Sequence, residues 1–219
     1  MPRRLVPKSK LSNRQLNRLI ELFALEVPAM KAAQVMGIHR HSAARVYRVI
    51  RQRMAVDCER HAPLRGEVEA DESYFGGHRK GRRGRGAAGK VAVFGLLKRR
   101  GKVYTRPVHN VTRETLRAVI QQKVPRGSTI YSDQLAVYDG LITQGYRHYR
   151  INHSKGFATT RRQHINGIEN FWGYAKTKLK RYCGIPRTQF LLYLKEMEFR
   201  FNHRHEDLPR QIRRILRLQ

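Results

Sequence analysis

The hydrophobic period changes once along this chain, near residues 62–66, and that change limits what it can fold into. Before it, apolar residues recur at helical spacing. Leu16, Leu19, Ile20 and Phe23 stand at i, i+3, i+4 and i+7. Pro28 suits the start of a second helix, with Ala32, Ala33 and Val35 inward and Gly37 as its stop. A third helix is predicted from about His39 to Met54, burying Ala43, Val46, Tyr47 and Ile50. Its other face carries Arg40, His41, Arg45, Arg48 and Arg51. After the linker Ala62–Gly66 the pattern alternates, as a strand does, over Glu67–Phe75. A hairpin follows, with Val91–Leu97 and Val103–Val108 flanking a glycine turn. Thr112 caps a helix reaching about Val124, Ser128–Asp133 reads as a short strand, and a helix is expected near Leu135–Gln144. Tyr146–Asn152 is another strand, then come a long helix over about Gln163–Tyr182 and another over Thr188–His203. Three strands in succession followed by alternating units imply an α/β fold: a mixed sheet flanked by helices, preceded by a small all-α domain.

Charge narrows the partner. Lysine and arginine number 46 against 16 acids, a net charge of +30 with a pI near 11.3, which points to a polyanion and first to nucleic acid. The acids are also unevenly spread. None occurs from Ser73 to Arg113, and between Asp139 and Glu196 only Glu169 remains. A phosphate-binding surface thins acids in this way, because each carboxylate there repels the ligand. A small residue (Ala33), then Gly37, then a basic helix reads as a helix-turn-helix, with Arg40, His41, Arg45 and Arg48 on its DNA side. A generic three-helix bundle is the plainer alternative. The glycine-rich basic segment His78–Lys90, with Arg79, Lys80, Arg82, Arg83 and Arg85, reads as a DNA clamp or a solvated linker. A basic RNA-associated protein is a rival, although a helix-turn-helix reads RNA poorly. Two cysteines, Cys58 and Cys183, exclude a disulfide scaffold and a cysteine-built zinc module and point to a reducing compartment. No apolar run is long enough to span a membrane, and the basic start lacks the apolar core of a secretory signal.

An acid left inside such basic tracts needs a reason. Asp71 closes the first strand, Asp133 ends the fourth, and Glu169 sits on the long helix after the fifth. If the first and fourth strands are neighbours, their aspartates meet at one edge of the sheet and the helix lays Glu169 over them. Three such carboxylates repel and push one another's pKa values up, which a pair of hard divalent cations, Mg2+ or Mn2+, relieves. Two such ions are the apparatus for in-line attack at a phosphodiester. Strand alternation alone leaves open whether Glu69, Asp71 or Glu72 points inward. Lys176 lies two helical turns beyond Glu169 on the same helix face.

These residues carry a resemblance. Val68–Gly77, Gly86–Gly95, Ile130–Asp133, His164–Trp172 with Lys176, and Phe199–Arg204 together resemble, in order, a bacterial insertion-sequence transposase of the DDE class. The resemblance implies a ribonuclease-H-like catalytic domain, with Asp71, Asp133 and Glu169 as metal ligands and Lys176 on the DNA end. Asn166 is an alternative third ligand and His164 an auxiliary residue. It further implies a metal-dependent polynucleotidyl transferase that binds double-stranded element ends and target, cuts and joins strands, and acts as at least a homodimer. Its expected place is the bacterial cytoplasm, on the nucleoid. The rival reading is a catalytically inactive or domesticated descendant that still binds specific DNA. The expected domains are a helix-turn-helix unit over 1–62, a linker over 63–66, the catalytic domain over 67–204 and a basic tail over 205–219.

Overall fold

The computed structural model describes residues 6, 9–60, 64–76, 90–151 and 164–217. In chain order the elements are α1 (Asn13–Ala24), α2 (Ala29–Met36), α3 (Arg40–Arg60), β1 (Glu67–Phe75), β2 (Val91–Lys98), β3 (Val103–Val108) and α4 (Arg113–Lys123). Then come β4 (Thr129–Ser132), two 3-10 turns (Ala136–Tyr138 and Ile142–Gln144), β5 (Arg147–Arg150), α5 (Asn166–Lys180), α6 (Arg187–Asn202) and α7 (Leu208–Arg217). The chain divides into two compact units, one formed by residues 1–60 with 187–219 and the other by residues 61–186. Among the described residues no helix is long and apolar enough to cross a membrane.

In the helical unit, Ser12 and Gln15 form a reciprocal capping box that starts α1. Leu16, Leu19, Ile20 and Phe23 are all buried against Ala43, Val46, Tyr47 and Ile50 of α3 and Ala32 and Ala33 of α2. Gly37 ends α2 at φ 61°, a left-handed position that favours glycine. Two expectations fail here. Val35 is 69% exposed, because in this eight-residue helix the inward positions are Ala32 and Ala33. Arg51 is buried, not on the outer face of α3, and its Nε meets Glu196 Oε2 at 2.6 Å.

The larger difference is at the C-terminal end. Residues 187–204, read with the sheet, pack in the helical unit as α6, and the expected tail forms α7, which buries Ile212, Ile215 and Leu216 in the same core. The reason is chemical. Part of the inward face of α6 is charged, so apolar periodicity gives no sign of its full burial. Glu196 joins Arg51 to Arg200, whose Nε lies 2.9 Å from Glu196 Oε1. Lys195 lies between Glu59 and Glu198, at 2.9 and 3.0 Å. Arg200 also donates to the carbonyls of Ala24 and Phe23, closing the C-terminal end of α1.

The other unit is built on one five-stranded sheet with order β3-β2-β1-β4-β5. The β1–β2 and β2–β3 pairs are antiparallel, whereas β1–β4 and β4–β5 are parallel. This is the ribonuclease-H-like mixed sheet expected, with β1 and β4 side by side. Val68 and Ala70 of β1 pack with Phe94 and Leu96 of β2 and with Leu116, Val119 and Ile120 of α4. Helix α5 contacts β1 and β2. The helix expected at Leu135–Gln144 is instead the two 3-10 turns. The Asp133 carboxylate accepts from Leu135 N, and Gly140 and Gly145 stand at φ 83° and 86°, which stops a continuous helix.

Candidate active site

Neighbouring positions of β1 face opposite sides of the sheet, and both sides converge on the end of β4. Asp71 turns toward α5, where its Oδ2 accepts a hydrogen bond from Trp172 Nε1 at 3.0 Å. Glu72 turns toward the α4 side, where its Oε2 accepts from the buried Tyr138 hydroxyl at 3.0 Å. Asp133 follows β4 at the sheet edge. Oxygen atoms of Asp71, Glu72 and Asp133 all lie within 4.8 Å of one another. Burial first, then the charges of Glu72 and Asp133, push the Asp71 carboxyl from 3.8 up to about 7. Burial and the same three acids push the Tyr138 hydroxyl well above its ordinary value, which keeps it a donor to Glu72.

The approach of Trp172 depends on Gly95, the residue opposite Asp71 in β2. A Cβ there would sit 2.7 Å from Trp172 Cη2 and 2.9 Å from Ile168 Cδ1. Glycine therefore leaves the space the indole occupies as it reaches Asp71. Phe75 packs edge-on against the same indole, with ring centres 5.9 Å apart.

Glu69 has a different task. It is 1% exposed, accepts from Ile168 N at 2.9 Å and from Arg99 Nε at 3.1 Å, and lies 3.5 Å from His164 Nδ1. Its carboxylate thus holds the first turn of α5, where amide groups lack helical partners and favour an anion. Gly167 leaves room for it, since a Cβ there would sit 2.8 Å from Glu69 Oε2. His164, half-buried, belongs to this anchor.

The anchored helix lines a cavity of about 420 Å³ together with the acids. Glu169, Trp172, Gly173 and Lys176 stand at i, i+3, i+4 and i+7 along its wall, and Asp71, Glu72, Ser73 and Asp133 form the floor. Glu169 thus shares the cavity but not the tight three-acid cluster. Lys176 Nζ lies 5.8 Å from the centre of the Phe75 ring. Asn166 is exposed at the start of α5 and does not line the cavity.

In the helical unit Arg40, His41, Arg45 and Arg48 are exposed along α3. Arg79, Lys80, Arg82, Arg83 and Arg85 lie outside the described residues. The sequence reading left Glu72 only as an alternative to Asp71 and passed over Tyr138 and the polar end of Trp172. The signal for Glu72 was an acid at a strand position whose neighbours on that face, Val68 and Ala70, are core residues.

The chain is similar to several known proteins. The chain is 48% identical over 102 residues to a transposase-like protein of Haemophilus influenzae, covering 47% of this chain and 82% of that one. It is 28% identical over 173 residues to a protein in transposable element ISH50 of Halobacterium salinarum, covering 71% of this chain and 58% of that one. Among solved structures, a chain of the Mos1 strand transfer complex aligns with TM-score 0.31 and 14% identity over 96% of this chain and 78% of that one. A chain of the simian T-cell lymphotropic virus intasome aligns with TM-score 0.39 and 15% identity, covering 82% of this chain and 65% of that one. The structural likenesses are too distant to carry an assignment, which rests on the sequence. A family model for the ISXO2-like transposase domain matches residues 63–202, well over half the chain, and the protein belongs to that transposase family.

Proposed function

We propose that this transposase binds the ends of an insertion sequence and cuts and joins DNA strands by two-metal phosphoryl transfer. The observation that carries the reading is the convergence of Asp71, Glu72 and Asp133 on a cavity whose wall adds Glu169 and Lys176. The donor set is all carboxylate oxygen, and Asp71 is pushed up by burial first and then by the charges of Glu72 and Asp133, so the site suits hard divalent cations such as Mg2+ or Mn2+. Asp71, Asp133 and Glu169 would hold two such ions. When bound, the ions supply an activated oxygen nucleophile and charge stabilisation at the phosphodiester.

The remaining roles belong to the chain. Trp172 orients Asp71, and Tyr138 orients Glu72 beside it. The Lys176 ammonium holds the phosphate of the scissile end, since it faces the cavity from the helix that carries Glu169. Water is the nucleophile for nicking and the freed 3′-hydroxyl for joining. Arg40, His41, Arg45 and Arg48 read the element end in the major groove, and Arg79, Lys80, Arg82, Arg83 and Arg85 contact the DNA backbone. Two ends must be held at once, so the working unit is a dimer or larger.

The test is incubation of the full chain with a duplex bearing the terminal repeat of its own element. Mg2+-dependent nicking at the repeat boundary is the expected result. Tight end binding with no cleavage in either Mg2+ or Mn2+ would mean a DNA-binding protein without the chemistry.

A further inference from the structure

Helix α7 carries charge that the site above does not use. Its apolar residues Ile212, Ile215 and Leu216 are buried in the core shared with α1, α2 and α3. Asp207 fixes its start, accepting from Arg210 N at 3.0 Å. Arg213 is tied inward, donating to Asn17 Oδ1 at 3.1 Å and lying 3.7 Å from Glu21. Arg210, Arg214 and Arg217 are exposed. They stand at i, i+4 and i+7, one face of the helix, and line a groove of about 670 Å³ with Gln211 and Arg213. No acid lies within Leu208–Arg217. Arg214 is 3.9 Å from the mostly buried Asp57, a long pair, and its own side chain is half-exposed.

A stripe of three guanidinium groups spans about 10 Å along a helix, a length over which a DNA strand presents about three phosphates. The stripe belongs to the same packed unit as α3, whose exposed face holds Arg40, His41, Arg45 and Arg48. We infer that α7 is a second nucleic-acid-contacting helix of this unit, in which Arg210, Arg214 and Arg217 grip backbone phosphates of duplex DNA. The inference rests on the reading of the protein as a DNA-end binder. It makes the binding unit an assembly of both ends of the chain, with α3 reading bases and α7 supplying sequence-independent grip.

The experiment compares the full-length wild type with the triple variant Arg210→Ala, Arg214→Ala, Arg217→Ala on a duplex of arbitrary sequence and on an element-end duplex. Binding is titrated from roughly 50 to 200 mM salt. Each phosphate contact contributes about 0.9 to the slope of log K against log salt, so three lost contacts should lower it by about 2.7. The advantage of the wild type should then be about 40-fold larger at the low-salt end, and the same for both duplexes, because phosphates carry no base information. The corresponding lysine triple variant should retain most of the slope. A triple Arg→Gln variant repeats the measurement with longer polar side chains if the alanine protein melts early. A folded neutral variant with unchanged slope overturns the inference while leaving DNA binding in place. A wild type with no salt-dependent duplex binding overturns the broader reading as well.

Discussion

Asp71 should destabilise the protein that contains it, and the size of that effect follows from its surroundings. Its carboxyl titrates at about 7 in the folded state against 3.8 ordinarily, chiefly through burial and then through Glu72 and Asp133. Below 3.8 both folded and unfolded states are protonated and nothing is lost. Between the two values the folded state keeps a proton that the unfolded chain releases, so stability falls as pH rises. Above about 7 the whole penalty applies. At ~1.36 kcal/mol per pH unit the interval caps it at about 4 kcal/mol, and partial exposure of the carboxylate reduces this to about 2 kcal/mol. Asp71→Asn removes the charge and keeps an oxygen for Trp172 Nε1 to donate to. The variant should therefore be more stable than wild type by about 2 kcal/mol at pH 8 in a metal chelator, with less than half of that gain left at pH 5. Urea unfolding followed by fluorescence reads this directly, because Trp172 is the chain's single tryptophan and touches the substituted residue. Saturating Mg2+ or Mn2+ should narrow or reverse the ranking, since a cation that binds only the folded wild type adds about 2.7 kcal/mol at a hundred times its dissociation constant. An Asp71→Asn protein no more stable than wild type at pH 8 without metal would refute the reasoning.

Other substitutions test other parts of the account. Gly95→Ala drives a methyl group into Trp172 and Ile168, and overpacking of this kind costs about 1–3 kcal/mol; thermal melting should show the loss and tryptophan fluorescence should shift. Glu196→Ala leaves Arg51 and Arg200 buried without their shared acid and should destabilise the helical unit by about 3–5 kcal/mol in chemical denaturation. Arg40→Ala with Arg45→Ala should relax preference for the element end over random duplex in competition binding. An unchanged preference would remove α3 as the reader.

The order of elements was legible because period changes are written in apolar residues. Four of the five strands and most helices lie where the pattern of Leu, Ile, Val and Phe puts them, whereas β5 (Arg147–Arg150) carries none of these residues. The pattern misled where polar groups do the packing. Arg51 looked like a solvent-facing arginine because its partner Glu196 is 145 residues away, and the same charged cluster draws α6 into the helical unit. The segment after Asp133 was misread because Leu135, Tyr138 and Ile142 stand at i, i+3 and i+7, as on a helix, whereas Gly140 and Gly145 adopt left-handed backbone that ends one.

The site was partly legible. Asp71 and Asp133 meet as the neighbouring strands require, and Glu169 and Lys176 share one wall, as their seven-residue spacing requires. Glu72 was not, because alternation sends it away from Asp71 and only the edge position of Asp133 lets both reach one place. Trp172 is buried, and its indole N–H makes it also the orienting partner of Asp71.

The most direct measurement is single-turnover cleavage of a labelled element-end duplex in Mg2+, with a binding titration on the same preparations. Asp133→Asn keeps the shape of the side chain and can still accept from Leu135 N, but it removes one negative charge from the floor of the cavity. The account predicts that this variant binds the end as tightly as wild type or slightly tighter, and that strand cleavage falls below detection. Cleavage near the wild-type rate, with binding intact, would contradict the assignment of this cavity as the place where DNA is cut.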